Sequence, residues 1–571
     1  MASRIARQAG AANLPFGVLV VQTLRRLGVD HFVVSPGSRS TPLALAAGEL
    51  GDAGHTVCLD ERSAAFHALG RIKATRRPVA LVCTSGTAAA HYYPAVIEAR
   101  ETALPLLILS ADRPPELRHC HAGQTIDQTK LFGSTARLYA ELPLPEPDSF
   151  LARQVREICR TALETALGQP HGPVHLNCPF REPFFPLEGD VENPSRERIE
   201  ALLASLEPVG PATSVVAGTR VLPERTLVLA GPRPWRDPLT EEEALLDFCR
   251  EHGIPLLADG ANPLRYRAGG TVPVIIHYDR MLRDDRAWED LKPEAVILWG
   301  EPPTSKVLRK RLGEVDLRGY QSGHGIGGLN PFQGGIERVD SSLEPFLKTV
   351  TIPSGAGAFA VSWAGRDRYF EQRLAEDLRQ PHGLFEGDVH RLLGSVLPAG
   401  TPVVFASSLA VRDADWFMPR REEPLIPFSQ RGANGIDGTL SLARGVAAGG
   451  SRGSVLVTGD LAFLHDTNGL LGAGADRYGL LVILLNNQGG GIFDFLPVAG
   501  KAETYEALFA TPQAVDFKGL VEAHGGQYAL VESVAHLQSL VAGWRGPGLT
   551  VLEVRIDREV SQKLHRRYLE G

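Results

Sequence analysis

Short apolar runs that end on turn or charged residues recur along the chain and alternate with longer segments of helical character. Phe32–Val34 leads into Ser35-Pro-Gly-Ser-Arg-Ser40, and Thr56–Leu59 into Asp60-Glu61-Arg62. Val79–Cys83 leads into Thr84-Ser-Gly-Thr87, Leu106–Leu109 into Ser110-Ala-Asp-Arg-Pro114, and Val174–Leu176 into Asn177-Cys-Pro179. Continuous apolar runs bounded by turn residues predict strands buried on both faces. Strands alternating with helices predict an α/β protein with mostly parallel sheets flanked by helices. Thr226–Ala230, Pro255–Ala258 and Ala295–Trp299 predict a second such unit. Pro402–Ala406, Ser454–Thr458, Leu480–Leu485 and Leu549–Val554 predict a third.

With 571 residues the chain exceeds a single core. We expect three α/β domains, residues 1–186, 187–365 and 366–571. Glu188–Arg220 reads as a linker with one helix, and Thr351–Gly365 as a second linker. Arg4 and Arg7 precede the apolar Phe16–Val21, a run too short for a signal peptide's core, so an amphipathic first helix is expected.

Two runs of the third unit end on chemistry. Ser454–Thr458 delivers Gly459 and Asp460, and Leu480–Leu485 delivers Asn486 and Asn487, followed by Gly489, Gly490 and Gly491. Ligands of open α/β sheets gather at the C-terminal ends of strands. A carboxylate, an amide oxygen 27 residues later (487 − 460) and bare backbone carbonyls form an all-oxygen set, suited to a hard cation such as Mg²⁺ with phosphate oxygens. A helix-capping Asp and a turn-forming Asn-Gly would look the same.

Composition narrows the field. Charge amounts to 22% of residues and sums to −7, which gives no general attraction to nucleic acid or to an anionic membrane. The six cysteines are scattered without a Cys-x-x-Cys pair, as in reduced cytoplasmic proteins. No run approaches the roughly 18 apolar residues of a membrane span. Gly323-His-Gly-Ile-Gly-Gly328 has the letters of a dinucleotide fingerprint but follows the polar Arg318–Ser322, so a loop is expected.

The Asp460/Asn487 pair resembles the magnesium-diphosphate signature of thiamine-diphosphate (ThDP) enzymes, departing from it at Leu461, where glycine is common. Together with Val34-Ser-Pro-Gly-Ser-Arg-Ser-Thr-Pro-Leu43, Asp60-Glu-Arg62, Thr84-Ser-Gly-Thr87, Ala111-Asp-Arg-Pro-Pro-Glu-Leu117 and Arg431-Gly-Ala-Asn-Gly-Ile-Asp-Gly438, it resembles one branch of that superfamily. That branch is the family of 2-succinyl-5-enolpyruvyl-6-hydroxy-3-cyclohexene-1-carboxylate (SEPHCHC) synthases of menaquinone biosynthesis. The resembling stretches lie in the first and last thirds; the middle resembles the family mainly around Lys306.

The resemblance implies a transferase using ThDP and Mg²⁺, with Mn²⁺ able to substitute. It joins 2-oxoglutarate to isochorismate with loss of CO₂. It implies a pyrimidine-binding first domain and a diphosphate-binding third domain. Metal ligands would be Asp460, Asn487 and Gly489. Cofactor contacts would be Glu61, Thr84, Ser408, Gly432, Ile436, Asp460, Asn487, Ile492 and Phe493, with Glu61 on the aminopyrimidine. Substrate contacts would be Ser38, Arg39, Arg113, Gln124, Lys306, Arg412 and Arg431, of which Arg39, Gln124, Arg412 and Arg431 join Glu61 in catalysis. Ser408 follows Ser407 where the family often has Asn-Ser. The resemblance further implies a homodimer or homotetramer with active sites shared between chains, and a cytoplasmic location without stable membrane association. Glu61 also stands where an acidic residue would merely cap a helix. An acetolactate synthase-like carboligase or decarboxylase, or a catalytically silent protein of the same fold, would share Glu61 and the Asp460/Asn487 pair.

Overall fold

A computed structural model describes residues 2–570 except 147–148, 186–198, 202, 205, 210–217, 233–239, 268–271, 324–331, 333–334, 340, 354–356, 451 and 501–503. The chain forms two compact units. One holds Met1–Ala212 with Arg444–Gly449, the other Thr213–Ala443 with Gly450–Gly571.

The first unit contains a parallel sheet of β1 (His31–Val34), β2 (His55–Val57), β3 (Val79–Cys83), β4 (Leu106–Asp112), β5 (Leu138–Glu141) and β6 (Val174–Pro179), in the spatial order β2-β1-β3-β4-β6-β5. The central strands are buried at every position. Removing one such Val, Leu or Ile side chain from water contributes about 1.5–3 kcal/mol, so each run is driven inside as a block. The first helix spans Ala2–Leu27 with Pro15 inside it.

The second unit contains two six-stranded sheets. One is built from Thr226–Ala230, Leu256–Ala258, Val274–Ile275, Ala295–Trp299, Arg318–Ser322 and Gly335–Val339. Its spatial order, counted along its own stretch of chain, is 3-2-1-4-5-6. The other is built from Pro402–Phe405, Ile426–Ser429, Ser454–Gly459, Gly479–Asn486, Gln527–Val531 and Gly548–Arg555. Counted the same way its order is 2-1-3-4-6-5, the order of the first unit's sheet.

Two expectations change. Arg318–Ser322 is a strand, paired with Ala295–Trp299 and Gly335–Val339. Its polar side chains do not prevent this, because a strand near a sheet edge is not buried on both faces. The next described element is again a strand, so Gly323–Gly328, which lies mostly outside the described residues, does not open into a described dinucleotide-binding helix. Gly357–Asp377 is a helix where a linker was expected, and residue 365 falls within it. The linker expected at 188–220 lies mostly outside the described residues.

Among the described residues no helix is long and apolar enough to cross a membrane. All six cysteines are free; four are buried, Cys58 is half-buried and Cys120 is exposed.

Candidate active site

Both sheets of order 2-1-3-4-6-5 have their switch point between the first and third strands, where the following loops diverge and leave a crevice. In the first unit those loops are Ser35–Ser40 and Thr84–Gly86. They touch: a Cβ on Gly37 would lie 2.3 Å from the Cβ of Thr84. The second loop is held from several sides. Gln124 Nε2 donates to the Ser85 carbonyl at 2.9 Å, and Arg113 donates to the Ser85 hydroxyl. Gly86, at φ +86°, donates its N–H to Gln128 Oε1 at 2.9 Å.

Arg39 is buried within electrostatic reach of Arg113; burial, reinforced by that second guanidinium, lowers its pKa. It donates to the Phe180 carbonyl at 2.5 Å and to Glu182 at 2.8 Å, and lies 4.6 Å over the Phe184 ring. Ser38 is exposed on the same loop. The structure thus brings Ser38, Arg39, Thr84, Arg113 and Gln124 into one cluster.

Glu61 opens the helix Glu61–Thr75, half-buried. The capping is done by Asp60, which accepts from the Arg62 amide at 3.0 Å. The Glu61 charge lies within reach of the buried Cys83 and Tyr92. Glu61 is thus not the side-chain cap, though it remains an acidic residue in the helix's first turn.

Beneath the Thr84–Gly86 loop lies a network that the motifs do not reveal. Gln128 Nε2 donates to Asn177 Oδ1 at 3.0 Å, and Asn177 Nδ2 donates to Asp112 at 2.8 Å. Asp112 and Glu141 share Arg118 at 3.0 and 2.9 Å. The one signal for it was the polar Asn177 ending an apolar run.

In the second unit, Asp460 follows the third strand of the 2-1-3-4-6-5 sheet and is 3% exposed. Burial pushes its carboxyl up to about 6, against the opposing effect of the nearby backbone amides of Leu461 and Gly489. A desolvated carboxylate of this kind favours a cation beside it. Asn487 is also buried; its Nδ2 donates to Glu386 Oε1 at 3.3 Å, which leaves the amide oxygen as its acceptor elsewhere.

The glycines here are sterically required. Gly489 has φ +127°, and a Cβ on it would sit 2.1 Å from the Ala510 carbonyl. A Cβ on Gly491 would sit 2.7 Å from Asn487 Nδ2. Ile492 and Phe493 follow on the turn Gly491–Phe495, half-buried. Among the described residues no three His, Cys, Asp or Glu side chains are placed to hold a metal. The donors at this edge are instead one carboxylate, one amide oxygen and bare carbonyls, a set that fits Mg²⁺ completed by phosphate oxygens.

Ser408 lies at the other side of this switch point, with φ +72°, and precedes the helix Leu409–Phe417. A non-glycine residue held there is strained backbone, which persists where surroundings enforce it and clusters at ligand sites. Arg412 donates to the Ser408 carbonyl; burial lowers its pKa, and Asp279 and Arg309 act on its charge. Asp279 accepts from Ser305 at 2.5 Å, and Ser305 caps the helix Lys306–Gly313, so the exposed Lys306 enters this neighbourhood.

The loop holding Arg431, Gly432 and Ile436 is closed by Gln430. Gln430 Nε2 donates to the Asp437 carbonyl at 2.8 Å, while the Gln430 carbonyl accepts from Ser407 at 3.2 Å. The expected residues thus fall into two clusters, one per unit.

Curated relatives cover nearly the whole chain. One from Synechococcus elongatus is 40% identical over 549 residues, spanning 96% of this chain and 94% of its own, and is named SEPHCHC synthase. The chain belongs to the SEPHCHC synthase family. A relative from Microcystis aeruginosa with the same name is 39% identical over 551 residues, covering 96% of each chain. SEPHCHC synthase family membership agrees with two family models. The N-terminal thiamine pyrophosphate-binding domain matches residues 16–131, and the C-terminal one matches residues 418–554. The first match takes in the Glu61 cluster and the second the Asp460/Asn487 cluster. A solved benzoylformate decarboxylase from Polynucleobacter necessarius superposes with a TM-score of 0.67 over 95% of this chain and 98% of its own, at 17% identity, which shows the shared fold. The chain is therefore a ThDP enzyme of α/β fold, of the carboligase type.

Proposed function

We propose that this enzyme decarboxylates 2-oxoglutarate and adds the remaining succinyl unit to isochorismate, giving SEPHCHC in menaquinone biosynthesis. The observation that carries the reading is the buried Asp460 carboxylate beside the Asn487–Gly491 loop, in a chain of the SEPHCHC synthase family.

Asp460, the Asn487 amide oxygen and the Gly489 carbonyl would hold Mg²⁺, or Mn²⁺ in its place, against the ThDP diphosphate. Ser408, Gly432, Ile436, Ile492, Phe493 and Thr84 would line the cofactor. ThDP supplies, when bound, the nucleophilic carbon and the electron sink. Glu61 would hold a proton at the aminopyrimidine ring.

Both substrates are dianions, so the guanidinium groups carry the recognition. Arg39, whose pKa burial and the nearby Arg113 lower, would gain together with Arg113 from a carboxylate between them. Arg412, Arg431 and Lys306 would neutralise the second substrate's carboxylates, and Ser38 and Gln124 would orient them by hydrogen bonds. The division 1–186, 187–365 and 366–571 then separates pyrimidine binding, a central domain and diphosphate binding. A cytoplasmic homodimer or homotetramer with sites shared between chains completes the reading.

The test is turnover of 2-oxoglutarate against pyruvate, each with isochorismate, ThDP and Mg²⁺. Preference for pyruvate would replace this reading by an acetolactate synthase-like one.

A further inference from the structure

Behind the Asn487 loop lies a chain of buried polar groups that no motif announces. Glu386, 1% exposed, opens the helix Glu386–Val396. Its carboxylate accepts from Ser561 Oγ at 2.9 and 2.8 Å and from Asn487 Nδ2 at 3.3 Å. Ser561 stands on the C-terminal helix Arg558–Glu570, one turn before His565. His565 is fully buried, with Nδ1 2.8 Å from the Ser561 carbonyl and Nε2 2.8 Å from Asp413 Oδ1. Burial would lower the pKa of this ring, but Asp413 and Glu386 outweigh it and raise it, which favours the charged form.

Although burial raises the Glu386 pKa, it is the Asn487 amide nitrogen that faces Glu386 Oε1, the orientation an accepting carboxyl oxygen selects. We infer that Glu386 is a positioning residue of the metal site: it captures the Asn487 amide nitrogen and thereby presents the amide oxygen to the cation. This inference rests on the proposed role of Asn487 as a Mg²⁺ ligand. The absence of a side chain on Gly491 leaves room for the amide in this orientation, since a Cβ there would lie 2.7 Å from Asn487 Nδ2. Ser561 holds the Glu386 carboxyl group by hydrogen bonds, and His565, itself held by Asp413, lies within electrostatic reach of it, so the C-terminal helix supports the metal loop from behind.

The readout is ThDP bound at equilibrium as Mg²⁺ is titrated, without turnover. Outer-shell partners of metal ligands are typically worth about 10–100-fold in metal affinity. Glu386→Met, which keeps length but removes the acceptor, should raise the Mg²⁺ needed for half-maximal ThDP binding by at least about tenfold. A merely structural role would lower thermal stability and leave that midpoint in place.

The second arm exchanges donor and acceptor and decides alone if Glu386→Met does not fold. Asn487→Asp sets a carboxylate against Glu386 and should raise the Mg²⁺ requirement. Adding Glu386→Gln returns a donor facing an acceptor and should bring it back down. An unshifted midpoint in Glu386→Met, or a double variant no better than Asn487→Asp, overturns the inference. Wild-type ThDP binding that does not respond to Mg²⁺ would instead overturn the metal-site reading beneath it.

Discussion

Asp460 and Gly489 come together just past the ends of two adjacent parallel strands, where the Gly489 backbone amide works against burial in setting the Asp460 carboxyl's pKa. The contact faces a buried anion toward the loop that bares amide and carbonyl oxygens. If this is the metal site, chelation should abolish activity and Mn²⁺ should restore it, because both ions take oxygen ligands. Asp460→Asn should weaken ThDP binding by more than the roughly 10–100-fold typical of an outer-shell loss. Unchanged ThDP affinity by calorimetry would refute the assignment.

Gly489→Ala tests the loop's geometry. At φ +127° with a carbonyl 2.1 Å from the new methyl, the backbone must move. The conformational strain alone is worth roughly 1–3 kcal/mol. Lost Mg²⁺-dependent ThDP binding is expected, with far-ultraviolet circular dichroism unchanged.

Cofactor chemistry and substrate recognition should separate. Glu61→Gln should abolish hydrogen–deuterium exchange at the thiazolium carbon while ThDP stays bound. Arg412→Ala and Arg431→Ala should keep that exchange and lose turnover. Removing one partner of a desolvated ion pair costs about 3–5 kcal/mol, or roughly 10²–10⁴ in rate. Near-normal turnover in both arginine variants would place the clamp elsewhere.

His565 makes stability depend on pH. Burial alone would lower its pKa, but Asp413 and Glu386 outweigh that and raise it from 6.5 to about 9. A folded-state pKa above the unfolded one means the native state binds the extra proton. The contribution is therefore fully present below about pH 6.5 and is lost as pH rises to about 9. Thermal unfolding should show wild type losing more stability between these values than His565→Gln. Equal slopes would show that the ring is not held cationic.

Much of this was readable in the chain, for a physical reason. Leu480–Leu485 and Val79–Cys83 are apolar throughout because central parallel strands are buried on both faces. Leu138–Glu141, Arg318–Ser322 and Gln527–Val531 escaped notice because strands at or near sheet edges keep polar side chains. The site loops were legible where glycine is forced by close approach, as at Gly37, Gly489 and Gly491. Gln128 and Glu386 were not. Each is a single polar residue whose partner, Gly86 or Asn487, lies 42 or 101 positions away, so no local spacing links them.

A shared active site can be tested by complementation. Glu61→Gln chains and Asp460→Asn chains, each inactive alone, are mixed under conditions of verified subunit exchange. If one site takes Glu61 from one chain and Asp460 from another, half the dimers are mixed and each has one intact site, so about a quarter of wild-type activity returns. No recovery after verified exchange would assign each site to a single chain.

The most direct measurement follows carbon. With fully ¹³C-labelled 2-oxoglutarate, unlabelled isochorismate, ThDP and Mg²⁺, mass spectrometry should find an adduct of isochorismate carrying the four-carbon succinyl unit, with the fifth carbon released as labelled CO₂. Labelled CO₂ released without a labelled isochorismate adduct, or an adduct formed from pyruvate in preference to 2-oxoglutarate, would contradict the account.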